Sequence, residues 1–498
     1  METLQRNANR GSISTDTGFN IENSCLFDSA SSHNMYFNPD STSSTAERRK
    51  GTISFWVKRT KLGTVQRIFH FGENTDGYDS RLWLRFVAAN TMHFYPIVTW
   101  TTTKTFEDVA AWYHIVVHYD TTQDEQDSDG SSDTNHAIDP DENPEGGSGT
   151  SQTKCWVNGI QMKDATGLLH GDTNGRTKNS VSGWGRDTLD KHAIGYDYLD
   201  TTGYFDGYLA EFHAVQGQVL EATDFGEFDE DTGIWKPIEV DLDNSDYGEN
   251  GFYLKFDDSA DMGADSSGEG NDFTLVNIDS GNQSTDTPTN NFCTLSPSWV
   301  YASAVTTGPT DGNLKVSGTQ LNWAGSKSTM GVNKGKWYWE AKGSNVDVML
   351  GIQTDGPGDI YGDHNNAHNI LSTCVLYLAG EVYIKDSTSG RDDTDVTQTF
   401  DANDVYGIAL NMDDNEISFY QDGSLITDGG DIDIDGLSDE VVFPFCSNYN
   451  TTIEMNFGGT NIFSISSGNA DANGYGNFEH APPSGYYSLC SKNLATYG

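Results

Sequence analysis

Residues 203–215, GYFDGYLAEFHAV, alternate with a period of two: Tyr208, Ala210, Phe212 and Ala214 fall on one side, Leu209, Glu211, His213 and Val215 on the other. Successive side chains of a strand point to opposite faces, so the stretch predicts a half-buried strand entered through an Asp-Gly turn. A strand needs partners, and residues 51–61, GTISFWVKRTK, repeat the pattern with Ile53, Phe55 and Val57 against Ser54, Trp56 and Lys58. Between them lie AWYHIVVHYD (111–120) and KCWVNGIQM (154–162). The second carries Asn158-Gly159, a dipeptide that accepts the positive φ angles of a type I′ hairpin.

Four such pieces in this order resemble the laminin-G-like, concanavalin-type lectin sandwich, over residues 21–240. From Gly312 the strand pattern restarts with GKWYWEAKGS (335–344), VDVMLGIQ (346–353), DVYGIALNMDDNEISFYQDGSL (404–425) and VVFPFCSNYNTTIEMNFG (441–458). These resemble a SPRY domain, with its GxWYWE-type strand, its GI and GIAL pair, its ISFYxDG hairpin and its closing NFG strand. That resemblance implies a bent β-sandwich whose rim loops meet a peptide partner, with no catalytic residues. The expected organisation is an N-terminal arm (1–20), a lectin-like sandwich (21–240), a partly structured connector (241–310), a SPRY-like sandwich (311–465) and a tail (466–498) read as a Pro-Pro turn without a helix. The fold class is all-β: two antiparallel, jelly-roll-like sandwiches. The whole arrangement resembles large virion proteins of tailed phages of marine bacteria, which implies a non-enzymatic structural or adhesion role in a fibre, spike or capsid decoration.

The 28 Lys and Arg stand against 74 Asp and Glu, a formal charge of −46. Such a field repels phosphate backbones, which excludes nucleic acid as a partner class. No window approaches the ~20 apolar residues of a membrane-spanning helix, and METLQRNANRGS lacks the apolar stretch of an export signal. The expected location is the virion, assembled in the host cytoplasm and released by lysis. The expected partners are other virion proteins, further copies of this chain in a homo-oligomer (a trimer), and a host surface glycan. Two other classes stay open: a surface glycoside hydrolase of concanavalin-like fold and a SPRY interaction adaptor.

Glycan binding needs aromatic platforms beside polar groups, and Trp83, Trp100 and Trp184 are the candidates, Trp184 foremost because SGWGRD reads as loop. A calcium ion is the one cofactor to which a pattern points: Asp431, Asp433 and Asp435 begin a DxDxDG loop with Asp439 at its ninth position, although Val442 replaces the bidentate Glu at the twelfth. Alternating Asp and Ile equally fit a strand with one wet face. EQDSDG, within the acidic stretch 124–151, is a weaker match to the same motif. Arg48, Arg49, Lys50, Lys58, Arg59, Lys61 and Arg67 form a basic cluster, either a charged edge hairpin or an assembly contact with an acidic neighbour. The nearest match to a glycanase ExDxE strand is Glu227, Asp229 and Asp231, set between turn signals. His114 and His118 share a strand face but stand ~13 Å apart, too far to hold one ion together. The six cysteines are scattered, without a CxxC, and read as buried thiols.

Overall fold

The computed structural model describes residues 18–72, 81–95, 100–122, 153–163, 179–188, 191–197, 202–300, 309–318, 323–354, 372–385, 392–396, 398–426, 431–438 and 440–498. The arm up to residue 17, the acidic stretch 124–151 and Asp439 lie outside the described residues. The chain is nearly all β and divides into two compact units, one of residues 16–108 and 112–283, the other containing residues 109–111 and 284–498.

The first unit is a pair of packed sheets. One runs, in spatial order, Ile160–Gln161, Thr153–Val157, Trp112–Asp120, Lys50–Arg59, Gly207–Gln216 and Ser24–Phe27, with Phe252–Leu254 also paired to Gly207–Gln216. The other runs Thr274–Val276, Asn34–Phe37, His192–Ile194, Gln66–Phe71, Leu82–Phe86, Met92–Tyr95 and Trp100–Thr101. Their inner faces meet through aromatic rings: Phe55 stacks on Phe212 at 5.1 Å and meets Phe69 edge-on at 6.4 Å, while Phe71 meets Phe252 at 5.8 Å. The Asn158-Gly159 turn has φ of 49° and 74°, the two positive values a type I′ hairpin requires. A Cβ on Gly159 would lie 2.2 Å from the Trp235 ring.

Strict alternation fails within the strand Gly207–Gln216. Ala210 pairs with Trp56 and His213 with Ser54, so Glu211, at φ 47°, is the extra residue of a β-bulge. The bulge sends Phe212 and Ala214 inward with Leu209, and leaves His213 and Val215 on the outer side with Tyr208 and Ala210. That outer side is itself roofed. Residues 217–240 cross it, and Ala222, Phe225 and Trp235 pack on Trp56, Trp112, Val116, Trp156, Tyr208 and Ala210. This is why the strand Lys50–Arg59 is buried along nearly its whole length on both sides. Residues 241–283, read from sequence as connector, supply Phe252–Leu254 to the first sheet and Thr274–Val276 to the second, and belong to this unit.

In the second unit, one sheet runs Leu295–Val300, Ala324–Ser328, Val442–Asn448, Val348–Thr354, Thr373–Tyr377, Glu381–Lys385 and Asp392–Asp395. The facing sheet runs Lys315–Ser317, Thr452–Asn456, Lys336–Gly343, Val405–Asn411, Glu416–Gln421 and Ser424–Leu425. Trp337, Trp339 and Ala341 enter the core between the sheets with Leu350, Ile408 and Met455.

Tyr338 and Glu340 point the other way and are covered by the tail. Phe478 meets Tyr338 edge-on at 5.2 Å. Glu340, fully buried, accepts hydrogen bonds from the backbone N–H of Glu479 and His480 at 2.8 Å each, from the Tyr338 hydroxyl at 3.2 Å and from the Asn456 amide at 3.3 Å. Burial pushes its carboxyl up, against the pull of those donors. Asp471 accepts from Ser488 N–H, Ser488 Oγ and Asn493 Nδ2 at 2.8–2.9 Å. The expectation of a tail without a helix is corrected: Ser491–Tyr497 is a short α-helix seated by buried Leu494.

All six cysteines are free and buried. Loss of hydration pushes the Cys446 and Cys490 thiols up to about 12, and those of Cys25, Cys155 and Cys374 up as well. Ellman's reagent at pH 8 will therefore find essentially no reactive thiol in the native protein and all six in guanidinium. Rapid native labelling would contradict the burial of these side chains.

Candidate functional site

The outer face of the first unit's second sheet carries two adjacent rows of side chains. Register fixes the first: Tyr36 opposes Ala193, Ala193 opposes His70, His70 opposes Trp83 and Trp83 opposes Tyr95. With strands ~4.8 Å apart, Tyr36 and Tyr95 are separated by roughly 19 Å across the sheet. The second row is Arg67, Arg85, His93 and Thr101. A register shift between Arg67 and Phe69 puts Arg67 on the same side as His70. Phe69, Phe71, Leu82, Leu84, Phe86 and Phe94, on the opposite side, are fully or almost fully buried in the core.

Trp83 and Tyr95 stack in parallel at 5.2 Å, and the Arg85 guanidinium lies 4.6 Å from the Trp83 centroid. Asp197 accepts from Arg67 Nη1 at 3.0 Å and from His70 Nδ1 at 2.5 Å, a contact that places the His70 proton on Nδ1. At the other end of the first row, Lys191 Nζ sits 3.9 Å over the Tyr36 ring. His70 is wholly buried and Trp83 9 % exposed, whereas Tyr36, Arg85, His93 and Tyr95 are half-buried. Burial and the neighbouring Arg85 hold His93 below the usual histidine value. Amphipathic rings beside a guanidinium and an imidazole are what an uncharged ring with polar substituents needs: flat apolar faces with donors at their edges.

Of the sequence candidates, Trp83 lies on this face in the first row and Arg67 of the basic cluster in the second. Trp184 is fully buried: its indole donates to Asn250 O at 2.8 Å and packs near Phe71 at 5.4 Å. Gly185, at φ 65°, lets the loop turn inward, so the Gly-flanked Trp is a plug and no platform. Trp100 begins the edge strand opposite Phe94, and its side chain lies outside the described residues.

Asp431 and Asp433 project from the strand Asp431–Asp433 between buried Ile432 and Ile434. Their oxygens accept from Ser418 Oγ and Asp435 N–H, and Asp435 accepts from Asn415, so these carboxylates are engaged by local donors. No group of three or more His, Cys, Asp or Glu able to hold a metal occurs among the described residues.

The basic cluster disperses. Lys58 and Arg59 are fully buried, and Arg59 donates to Phe106 O at 2.7 Å and Lys61 O at 3.1 Å. Arg67 is tied to Asp197, and Arg48 donates twice to Ser182 O. Arg49, Lys50 and Lys61 retain outward positions. Glu227 and Asp229 flank Lys236 Nζ at 3.3 and 3.4 Å, and the Thr232 N–H and hydroxyl hold Asp229 down at about 2. A glycosidase acid needs a raised carboxyl, and Asp229 is shifted the opposite way.

Sequence reading missed one further constellation, under the roof of the first sheet. Ser54 Oγ lies 2.9 Å from His114 Nε2, a pairing that resembles a nucleophile and its base. Trp235 Nε1, a donor only, donates to His114 Nδ1 at 3.0 Å, so the proton sits on Nε2 and is given to Ser54. That leaves the ring no lone pair to accept the serine proton. The adjacent cavity, lined by Trp56, His114, Glu211, His213 and Phe225, has a volume of about 10 Å³, room for about one water.

No protein-family profile and no curated sequence matches the chain. Among solved structures it is similar to the SPRY domain of human HERC1 (TM-score 0.26, 14 % identity, 34 % of this chain and 99 % of that one). It is also similar to the TRIM65 PSpry domain (0.25, 13 %, 33 % and 89 %). A third is the heptameric SAP-like pentraxin from Limulus polyphemus (0.25, 10 %, 41 % and 79 %).

Proposed function

We propose that the protein is a non-enzymatic component of a tailed-phage virion that holds a host-surface saccharide on the outer face of the first unit's second sheet. The observation that carries the binding reading is the parallel Trp83–Tyr95 pair with Arg85 against the indole. Trp83, 9 % exposed, backs the half-buried Tyr95, whose rigid ring presents apolar area at little entropic cost and suits the CH face of a pyranose. The virion reading is supported by the succession of two sandwich units and tail that the sequence resemblance rests on, and by an acidity suited to a solvated particle surface. In this reading the second unit docks a neighbouring virion protein through its rim loops. Residues 1–20 anchor a homo-oligomer, a trimer, to the particle.

Purified full-length protein should retain host envelope polysaccharide in affinity electrophoresis, and Tyr95→Ala should weaken this about tenfold, the loss of ~1.4 kcal/mol expected for one ring contact. Immunogold labelling should decorate intact particles, and deletion of residues 1–20 should abolish incorporation. Equal retention by Tyr95→Ala would remove this face from the binding reading, and unlabelled particles would remove the virion.

A further inference from the structure

We infer that Tyr487 and Tyr497 form an oxidative modification site, where a small one-electron oxidant joins the two rings, carbon to carbon, into an intramolecular dityrosine. The link would fasten the helix Ser491–Tyr497 to the second unit's facing sheet. Tyr487 stands on the strand Tyr487–Ser488, which runs parallel to Lys336–Gly343 with Tyr487 opposite Trp337. Tyr497 ends the helix. Asp471 ties the two elements together by accepting from Ser488 and Asn493, and the Asn493 amide donates to Ser488 O at 2.9 Å.

The ring centroids lie 3.9 Å apart and the planes within 9° of parallel. Ordinary aromatic pairs stand about 4.5–7 Å apart and prefer an offset or an edge, so packing alone does not account for this approach. The hydroxyls lie at the same end of the stack: a hydrogen bond between them is the largest influence on the ionisation of each, and Asn473 Nδ2 reaches the Tyr497 oxygen at 3.5 Å. With rings parallel and hydroxyls together, the carbons ortho to each hydroxyl face one another at about the contact distance of carbon atoms. Both side chains are half-buried, within reach of a small reagent. Three other tyrosine pairs among the described residues, Tyr196–Tyr204, Tyr377–Tyr383 and Tyr247–Tyr253, have centroids 5.7, 6.0 and 6.4 Å apart, and each includes a buried ring.

Each phenol gives up one electron and its hydroxyl proton and becomes a phenoxyl radical, whose unpaired electron is shared with the ortho carbons. Two such radicals held face to face pair those electrons in one new C–C bond. The two ortho hydrogens then pass as protons to the two oxygens, which restores both aromatic rings. The protein loses two electrons and two protons in all, and a peroxide takes them up: its O–O bond breaks, and hydrogen peroxide leaves as two waters. Donation from Tyr487 and Asn473 holds Tyr497 below the ordinary tyrosine value, which eases the first electron transfer. The fixed geometry makes the coupling a unimolecular step.

Full-length protein would be irradiated with ruthenium tris-bipyridyl and persulfate, a peroxide that leaves as two hydrogen sulfates, over a range of protein concentrations. Dityrosine fluorescence should appear in the monomer band at a yield independent of protein concentration, with the intact mass lower by two hydrogens. Trypsin cuts after Lys492, and the peptide carrying Tyr497 should nevertheless stay joined to the one carrying Tyr487. Tyr487→Phe and Tyr497→Phe keep both rings and should each lower the monomer fluorescence about tenfold. If either variant does not melt cooperatively, the tryptic map of the wild-type protein decides. Dityrosine confined to species that grow with protein concentration, monomer fluorescence unchanged in both variants, or a map that joins other tyrosines would overturn the inference. A protein that forms no dityrosine under these conditions would overturn it too.

Discussion

Glu340→Ala will lower the melting temperature of the second unit by on the order of 10 °C. The carboxylate is fully buried and accepts four hydrogen bonds, two of them from the backbone N–H groups of Glu479 and His480. Alanine leaves those donors buried without acceptors, and each such group costs ~1–3 kcal/mol. The loss falls on the tail first, because Glu340 is what ties the chain at 479–480 to the strand Lys336–Gly343. Protease susceptibility at residues 463–486 should rise before the core melts. Glu340→Gln keeps the volume and one acceptor but sets an amide donor against a backbone donor, so it should fall between wild type and alanine. Calorimetry on the three proteins is the check, and a shift within about 2 °C for Glu340→Ala would show that the tail is held by its other contacts, the apolar ones and the backbone pairing of Tyr487–Ser488.

Acid will open the roof of the first unit. His114, His118 and His213 project from the outer face of one sheet into the segment that covers it. His118 Nδ1 meets Leu220 O at 2.9 Å, His114 meets Trp235, and His213 Nδ1 meets the Tyr247 hydroxyl at 2.8 Å. Burial holds His114 down to about 3 and His118 to about 4, and lowers His213 against the pull of Glu211. An unfolded chain protonates its histidines near 6.5, so below that pH the unfolded state binds more protons and stability falls as pH falls. For His114 alone the loss at pH 4 is ~3 kcal/mol. The excess carboxylates oppose this, since their protonation relieves the self-repulsion of a chain at −46. The histidine contribution is therefore read as a difference: near-UV circular dichroism against pH for wild type and His118→Gln, whose unfolding should take up about one proton fewer between pH 6.5 and 4. Superimposable curves would show that this side chain does not report the opening.

The alternating strands and both sandwiches were legible because a two-residue period, once one side is buried, leaves little freedom of register. What the period hides is the place where it breaks. Glu211 looks from sequence like an outward residue of a regular strand, and only the pairings of Ala210 and His213 show that one residue has been added. Trp184 looked exposed because glycines flank it, yet the acceptor that keeps it inside, Asn250 O, arrives 66 residues later. Lys58 and Arg59 looked like surface charge, and a backbone carbonyl at Phe106 and a ring at Phe86 make the interior habitable for Arg59. The rows on the second sheet are spread over strands from Asn34 to Thr101 with one return at His192–Ile194, so no local window contains them. The signal that was present, RLWLRF followed by MHFY, is legible only once the register sets Trp83 opposite Tyr95.

The position of Ser24–Phe27 has a consequence for synthesis. That first strand lies beside Gly207–Gln216, with Cys25 opposite Leu209, about 180 residues downstream. At ~5–20 residues per second, the ribosome takes roughly 10–40 s to deliver the partner, and the roof at 217–240 follows later still. During that interval the opening strand and both edges of the nascent sheet have no native mate, and long-range pairing of this kind is slow even after release. In a cell making many copies at once, the yield of folded protein would be governed by how well that waiting segment is kept from pairing with the same segment on a neighbouring nascent chain.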